Sequence, residues 1–226
     1  MRSSDKTHAR SVAAASAALC GATYIFGIAM LLGPLADAPL SQSGSDPKET
    51  LAMITQNAGL LRLWYLVIYM VNGLALAALV VSLRGLSPRT LGTSVLGAYG
   101  LIWAAFVIAA GAIANVGLQS AQLAISHDAI ERAADLWVTT QLMENAIGGG
   151  NEIMGAVWIS GMAITLPFGG VLFRAFGLSV GVCGLMTLVP FTQDFAGMTF
   201  GLGAILWFAA CSVTLLRNRT PVPCLT

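Results

Sequence analysis

Charged side chains are scarce. Lys and Arg number 11 and Asp and Glu 10 in 226 residues, 9% of the chain against roughly 25% in an ordinary soluble domain. With 57% hydrophobic residues and a mean hydropathy of +0.80, the chain lacks the polar surface of a water-soluble globule, which implies an integral membrane protein. Basic residues are dispersed in short connections and the net charge is only +1, so no cluster is available to neutralise phosphates. A nucleic-acid partner is excluded. Histidine is limited to His8 and His127, and Cys20, Cys183, Cys211 and Cys224 fall in no CxxC or Cys/His spacing. No metal, disulfide or other cofactor is implied, and the cysteines in apolar runs read as packing residues.

What remains is apolar sequence in long runs. Ser11 to Ala36, Leu63 to Leu83, Thr90 to about Gln119, Ile153 to Phe173, Ala175 to Gln193 and Phe195 to Leu216 are uncharged apart from their margins and long enough to cross about 30 Å of hydrocarbon. Short alternating strands of the kind a barrel needs are missing, so the spans are helices. The expected architecture is one all-α membrane domain over 1–226, a polytopic transmembrane helical bundle. It has six spans at about 12–34, 61–83, 91–116, 153–173, 175–190 and 195–216, and outer surface segments at 37–60 and 120–150. The first run exceeds the roughly 7 to 15 apolar residues of a signal peptide, so "LADA" is not read as a cleavage site. "AALC" lacks the leucine spacing of a lipobox.

Placing the N-terminus inside puts Arg2, Lys6, Arg10, Arg84, Arg89, Arg174, Arg217 and Arg219 on the cytoplasmic side and only Lys48, Arg62 and Arg132 outside. Basic residues thus favour two cytoplasmic termini. Asp37, Asp46, Glu49, Asp128, Glu131, Asp135, Glu144 and Asp194 then fall outside, and Asp5 inside. In the first outer segment, Ser45 or Asp46 as cap, Pro47 in the first turn, and Leu51, Ile54 and Leu60 or Leu61 at helical spacing predict a short helix on the outer surface. The second carries Leu123, Ile130, Ala134 and Trp137 opposite Asp128, Glu131 and Arg132. It either caps the bundle or extends the fourth span outward.

Two internal echoes compete. "GATYIFGIAM" at 21–30 aligns with "GAVWISGMAI" at 155–164, which would be an inverted repeat of three helices, and "RTLGTSVLGAYGL" at 89–101 resembles "RAFGLSVGVCGL" at 174–185. Both cannot define one repeat. "GLSVG" at 177–181 has the spacing of a nucleophilic-serine turn, but it lies in a predicted span and leaves Ser179 without a base. Gly177, Gly181, Gly197 and Gly201 read instead as points of close helix approach. Asn72 sits mid-span and is expected to make an intramembrane polar contact, as are Tyr99, Asn115 and Ser160. Trp64 and Tyr65 read as interfacial aromatics.

The most chemistry-bearing stretch is "TTQLMENAIGGGNEIMGAVW" at 139–158. Helical rotation aligns Gln141, Asn145 and Glu152, and beside them Glu144, Gly148, Asn151 and Gly155. Three consecutive glycines, Gly148, Gly149 and Gly150, weaken a helix by about 1 kcal/mol each and point to either a break or a very close backbone approach. Glu152, Glu144, Asn145, Asn151 and Arg62 form the candidate site, read either as a headgroup-zone salt bridge from Arg62 or as an outward-facing pocket. Glu152 is the deepest carboxylate and the first choice for function.

The stretches 57–92, "NAGLLRLWYLVIYMVNGLALAALVVSLRGLSPRTLG", and 155–189, "GAVWISGMAITLPFGGVLFRAFGLSVGVCGLMTLV", resemble the bacterial domain-of-unknown-function 4386 family of small multi-span membrane proteins. The resemblance implies a bacterial inner-membrane location and brings no catalytic residues; it does not extend to "GGGNE". Taken together, the expectation is a non-enzymatic ligand-binding or accessory protein. Its partners are the lipid bilayer, a small-molecule or lipid ligand, and a membrane protein or second copy. The alternative is a small-solute transporter working through Glu152, and an intramembrane enzyme is the least favoured class.

Overall fold

A computed structural model describes residues 3–36, 47–167 and 170–217. Arg2, Asp37, Ser45, Asp46, Arg219 and Cys224, used above for topology, capping and cysteine chemistry, lie outside them. The elements are α1 (Ser3–Leu32), α2 (Pro47–Tyr65), a π-helical turn (Leu66–Val71), α3 (Asn72–Leu86), α4 (Leu91–Ser126), α5 (Ile130–Thr165), α6 (Val171–Met186) and α7 (Gln193–Arg217). No strand occurs among the described residues. Four helical stretches there are long and apolar enough to cross a membrane: Asp5–Leu32, Ile54–Leu86, Leu91–Ser126 and Phe195–Arg217. Leu74, Val81, Leu172 and Leu206 are exposed, a distribution that suits hydrocarbon surroundings and not water.

Three sequence expectations change. The surface helix before the second span is not a separate element, because α2 runs without interruption through the π-helical turn into α3. Pro47 can open a helix, and nothing between it and Leu86 forces the chain out of one. Of the two readings of Gly148–Gly150, the break is not found, since α5 is helical from Ile130 to Thr165. Intrinsic glycine cost is a weak prior against the bonding of a 36-residue helix. Finally, the connection expected around Arg174 falls earlier. Pro167 follows the last bonded turn, where Leu166 N–H still reaches Met162 C=O at 3.0 Å, and α6 opens at Val171 with Arg174 inside it. Val171–Met186, at 16 residues, is shorter than the spans above.

The chain gathers into two compact units, one of Met1–Ala22, Ala75–Trp103 and Glu152–Thr226, the other of Thr23–Leu74 and Ala104–Asn151. The first is built on aromatic packing. Trp103 and Trp158 lie 5.6 Å apart, Trp158 meets Trp207 edge-on at 5.6 Å, and Phe208 stacks on Trp103 at 6.2 Å. Close helix approach surrounds them: a Cβ at Gly177 would crowd Ala163 and Trp207, and one at Gly181 would overlap Ser160. Gly201 departs from that pattern and faces open space. Ser179 bonds its own helix, donating to Ala175 C=O at 3.0 Å.

The second unit has an aliphatic and aromatic core. Leu51, Ile54, Leu61 and Tyr65 pack with Met30, Leu35, Ala114, Leu118, Ala133 and Trp137. Tyr65, 1% exposed, therefore belongs to this core and not to an interfacial belt. The aromatic ring gains more from full burial than from a headgroup position. Of the outer apolar face read from sequence, Trp137 is buried whereas Leu123 and Ile130 are exposed. Ala133, Trp137, Thr140 and Glu144 form the buried stripe instead.

α4 and α5 are joined by a three-residue turn. Ala129 N–H reaches Ala124 C=O and Asp128 N–H reaches Ile125 C=O, both at 3.0 Å, the paired bonds of a Schellman motif. Asp128 takes the left-handed position with φ 56°. Glycine meets that conformation without a Cβ penalty, whereas a β-branched residue meets it worst. Asp128→Gly is expected to hold or raise the thermal midpoint of the detergent-solubilised protein, and Asp128→Val to lower stability by roughly 1–2 kcal/mol. A fall with glycine would mean that the Asp128 side chain itself stabilises the turn.

Candidate functional site

The helical π-turn sets the site. Its i→i+5 bonding places an extra residue in the turn, and Asn72 N–H at its end is shared by Tyr69 C=O and Val67 C=O. Tyr65 and Tyr69 stack with centroids 6.0 Å apart and reach across to α5. The Tyr65 hydroxyl lies within hydrogen-bonding reach of Gln141, and the Tyr69 hydroxyl donates to Glu144 Oε1. Glu144 is 8% exposed. A buried carboxylate in a chain with so few charges thus has a phenol, not a cation, as its partner.

Next to this pair is a cavity of about 200 Å³ lined by Tyr24, Gly27, Ile28, Leu31, Trp64, Ile68, Tyr69, Asn72, Val107 and Asn151. Every lining residue belongs to the second unit. Trp64 is fixed by its indole N–H, which donates to Gly27 C=O at 3.3 Å, and the missing side chain at Gly27 leaves room for Ile68. Gly111 does the same for Tyr69, whose ring a Cβ there would overlap. Asn72 is 4% exposed, and its Oδ1 accepts no hydrogen bond. Asn72 is a residue of the cavity wall, and its oxygen makes no part of the intramembrane polar contact expected of it. Such a group costs roughly 1–3 kcal/mol when nothing satisfies it.

The other residues singled out from sequence are distributed as follows. Arg62 is exposed and donates to Gln122 Oε1 at 2.7 Å, while Glu144 is held by Tyr69, so the Arg62–Glu144 salt bridge does not form. The guanidinium finds an amide on α4, whereas the carboxylate lies on a buried stripe of α5. Asn145 is exposed, and Asn151 lines the cavity. Glu152 belongs to the first unit, half-buried where the end of α6 meets α7. Its carboxylate is within reach of the Thr187 hydroxyl, and a Cβ at Gly197 would stand 2.9 Å from its Oε1. The two glutamates of the 139–158 stretch have separate environments. Asn115 folds back on Gly111 C=O at 2.9 Å, and Tyr99 is exposed.

Tyr24 and Tyr69 were not singled out from sequence, and Trp64 was placed in the headgroup belt. A signal for Tyr69 existed: Tyr65, Tyr69 and Asn72 fall at helical spacing, as do Ala133, Trp137, Thr140 and Glu144. Two such stripes containing polar groups invite a pairing. Comparison with protein-family models, with curated proteins and with solved structures yields no match.

Removing the donor alone is expected to be the costlier change. Tyr69→Phe leaves Glu144 buried without its hydrogen bond and should destabilise the solubilised protein by about 1–3 kcal/mol, while Glu144→Gln keeps an acceptor for the phenol and should cost less. Thermal unfolding of the two variants under one detergent condition checks the order, and the reverse order would show that charge, not the bond, holds the pair. Gly111→Ala should match or exceed the Tyr69→Phe loss, because it displaces the whole ring.

Proposed function

We propose that this is a six-span inner-membrane protein of bacterial type, both termini cytoplasmic, that binds a small ligand and performs no covalent chemistry. The likeness of 57–92 and 155–189 to the domain-of-unknown-function 4386 family is part of the same reading. One observation carries the binding role: Asn72, whose side-chain oxygen is buried and unpaired, is among the residues that line a cavity walled by Tyr24, Trp64 and Tyr69. Apolar walls with one or two fixed polar groups are the ordinary make-up of a small-molecule site. The ligand position accordingly moves from Glu152 to the Asn72 cavity. No nucleophile with a base accompanies it, since Ser179 is engaged with its own helix and the two histidines, His8 and His127, lie far from it in sequence.

Native mass spectrometry of the mildly extracted protein beside Asn72→Leu tests the reading. A small molecule retained by the wild type and lost from the variant is the expected result; equal spectra, both bare or both loaded, would remove Asn72 from the binding role. The transporter alternative is separated by vesicle flux, because a binding or accessory protein moves no net solute. For topology, single cysteines are introduced after replacement of Cys20, Cys183, Cys211 and Cys224. Asp135→Cys should react with an impermeant maleimide from outside and Arg89→Cys only after permeabilisation, and the opposite pattern would invert the orientation.

A further inference from the structure

The connection between α3 and α4 carries a half-open recess of about 470 Å³, lined by Arg84, Arg89 and Ser94 among others and by no acidic residue. All of its lining belongs to the first unit. Two threonines there are committed to capping α4: Thr93 N–H donates to Thr90 Oγ1 at 3.2 Å, Thr90 N–H to Thr93 Oγ1 at 3.1 Å, and the Thr93 hydroxyl to Pro88 C=O at 2.6 Å. The arginines are not so engaged. Among the described residues, no hydrogen bond or salt bridge occupies the side chain of Arg84, Arg89 or Ser94. Arg84 is nevertheless held in place, for its stem lies along α4, where a Cβ at Gly97 would stand 3.0 Å from its Cδ. Two guanidinium groups and the positive end of a 36-residue helix thus concentrate charge in one recess.

The recess lies at the shared end of two membrane-length stretches, Ile54–Leu86 and Leu91–Ser126, where hydrocarbon gives way to headgroups. Its lining has both chemistries of that boundary: Val81, 60% exposed, and Leu91, 82% exposed, beside the arginines and Ser94. A free anion makes no use of exposed aliphatic walls, whereas a lipid has a part for each. We propose that the α3–α4 recess holds an anionic glycerophospholipid, its phosphate between Arg84 and Arg89 and its acyl part against Val81 and Leu91. Guanidinium forks match phosphate oxygens, and the Ser94 hydroxyl is a further donor. A zwitterionic headgroup would bring its own cation to a recess that already has two and no carboxylate to receive a third, so the net-negative class is selected. Topology alone accounts for basic residues at the end of a span, Arg217 among them. It does not require two of them around one recess, or a glycine beneath one. The site is separate from the Asn72 cavity, and neither assignment rests on the other.

The experiment is native mass spectrometry of the full-length protein in an uncharged detergent, titrated with phosphatidylglycerol and with phosphatidylcholine of the same acyl chains, each with and without inorganic phosphate as competitor. One phosphatidylglycerol is expected to be retained roughly tenfold more tightly than phosphatidylcholine, and inorganic phosphate not to displace it. That ranking uses the wild type alone and survives any failure of a variant to fold. Combining Arg84→Gln with Arg89→Gln, both at exposed positions, should bring phosphatidylglycerol down to the level of phosphatidylcholine. Arg217→Gln removes a span-end charge outside the recess and should leave retention unchanged. Equal retention of the two lipids, retention untouched by the double variant, or the same loss from Arg217→Gln would overturn the site and leave only diffuse surface charge. Displacement of the lipid by inorganic phosphate that itself binds through Arg84 and Arg89 would overturn the lipid assignment and make the free anion the occupant.

Discussion

A carboxylate buried without a cation has to be held by something, and in this protein the Tyr69 hydroxyl holds it. With ten acids in the whole chain, Glu144 is 8% exposed and receives the phenol on Oε1. Much of the second unit follows from that bond. Tyr69 must reach α5, so the α2–α3 segment carries a π-turn at Leu66–Val71 that advances the register by a residue. Gly111 must lack a side chain, so that α4 leaves space for the ring. Tyr65 stacks on Tyr69, lies within reach of Gln141 and carries the polar seam into the apolar core of Leu61, Leu118 and Trp137.

Two kinds of packing divide the chain. The first unit uses tryptophan and phenylalanine in edge and stacked contacts, with Gly177 and Gly181 allowing close approach. In a membrane, where neighbouring lipid is as apolar as leucine, such interdigitation is a main source of helix association. The second unit spends part of its interior on polar groups instead, Glu144, Tyr69 and Asn72 among them. Buried polar groups weaken an apolar core unless each is paired; Asn72 Oδ1 is unpaired in the second unit, and the indole N–H groups of Trp158 and Trp207 are unpaired in the first. The functional reading rests on the second unit because there the unpaired group belongs to a residue that lines a cavity.

Helical class and long apolar runs were legible in the sequence, because they depend on composition and on 1.5 Å per residue, and neither needs tertiary information. The boundaries read less well. Arg174 looked like a turn because charge is expected at a membrane surface, yet Pro167 ends α5 through its missing N–H, a local covalent constraint that outranks charge. Gly148–Gly150 looked like a break, but propensity yields to a helix continuous on both sides. At the site, Asn72, Asn151 and Glu144 were found as polar exceptions in apolar surroundings. Their grouping was not, because Glu144 and Glu152 are eight residues apart and a rotation of about 100° per residue sets them roughly 80° apart on the helix. An offset of that size is enough to give neighbouring carboxylates unlike surroundings: Tyr69 for one, Thr187 and Gly197 for the other. The echo of 21–30 in 155–164 has the same weakness, for Tyr24 lines the cavity while its counterpart Trp158 is fully buried among aromatics.

The unpaired oxygen of Asn72 is the point where stability and function part. Asn72 is buried at 4% exposure in a helix made mainly of Leu, Ala and Val, where a leucine would fill the same space without a desolvated acceptor. Packing alone therefore favours leucine, by roughly the 1–3 kcal/mol that an unsatisfied polar group costs. Trp64 donates to Gly27 and Tyr69 to Glu144, so the indole and the Tyr69 phenol of the cavity wall are committed elsewhere. The bond that fixes Tyr69 to Glu144 thus stabilises the polar seam and leaves that phenol no proton for Asn72.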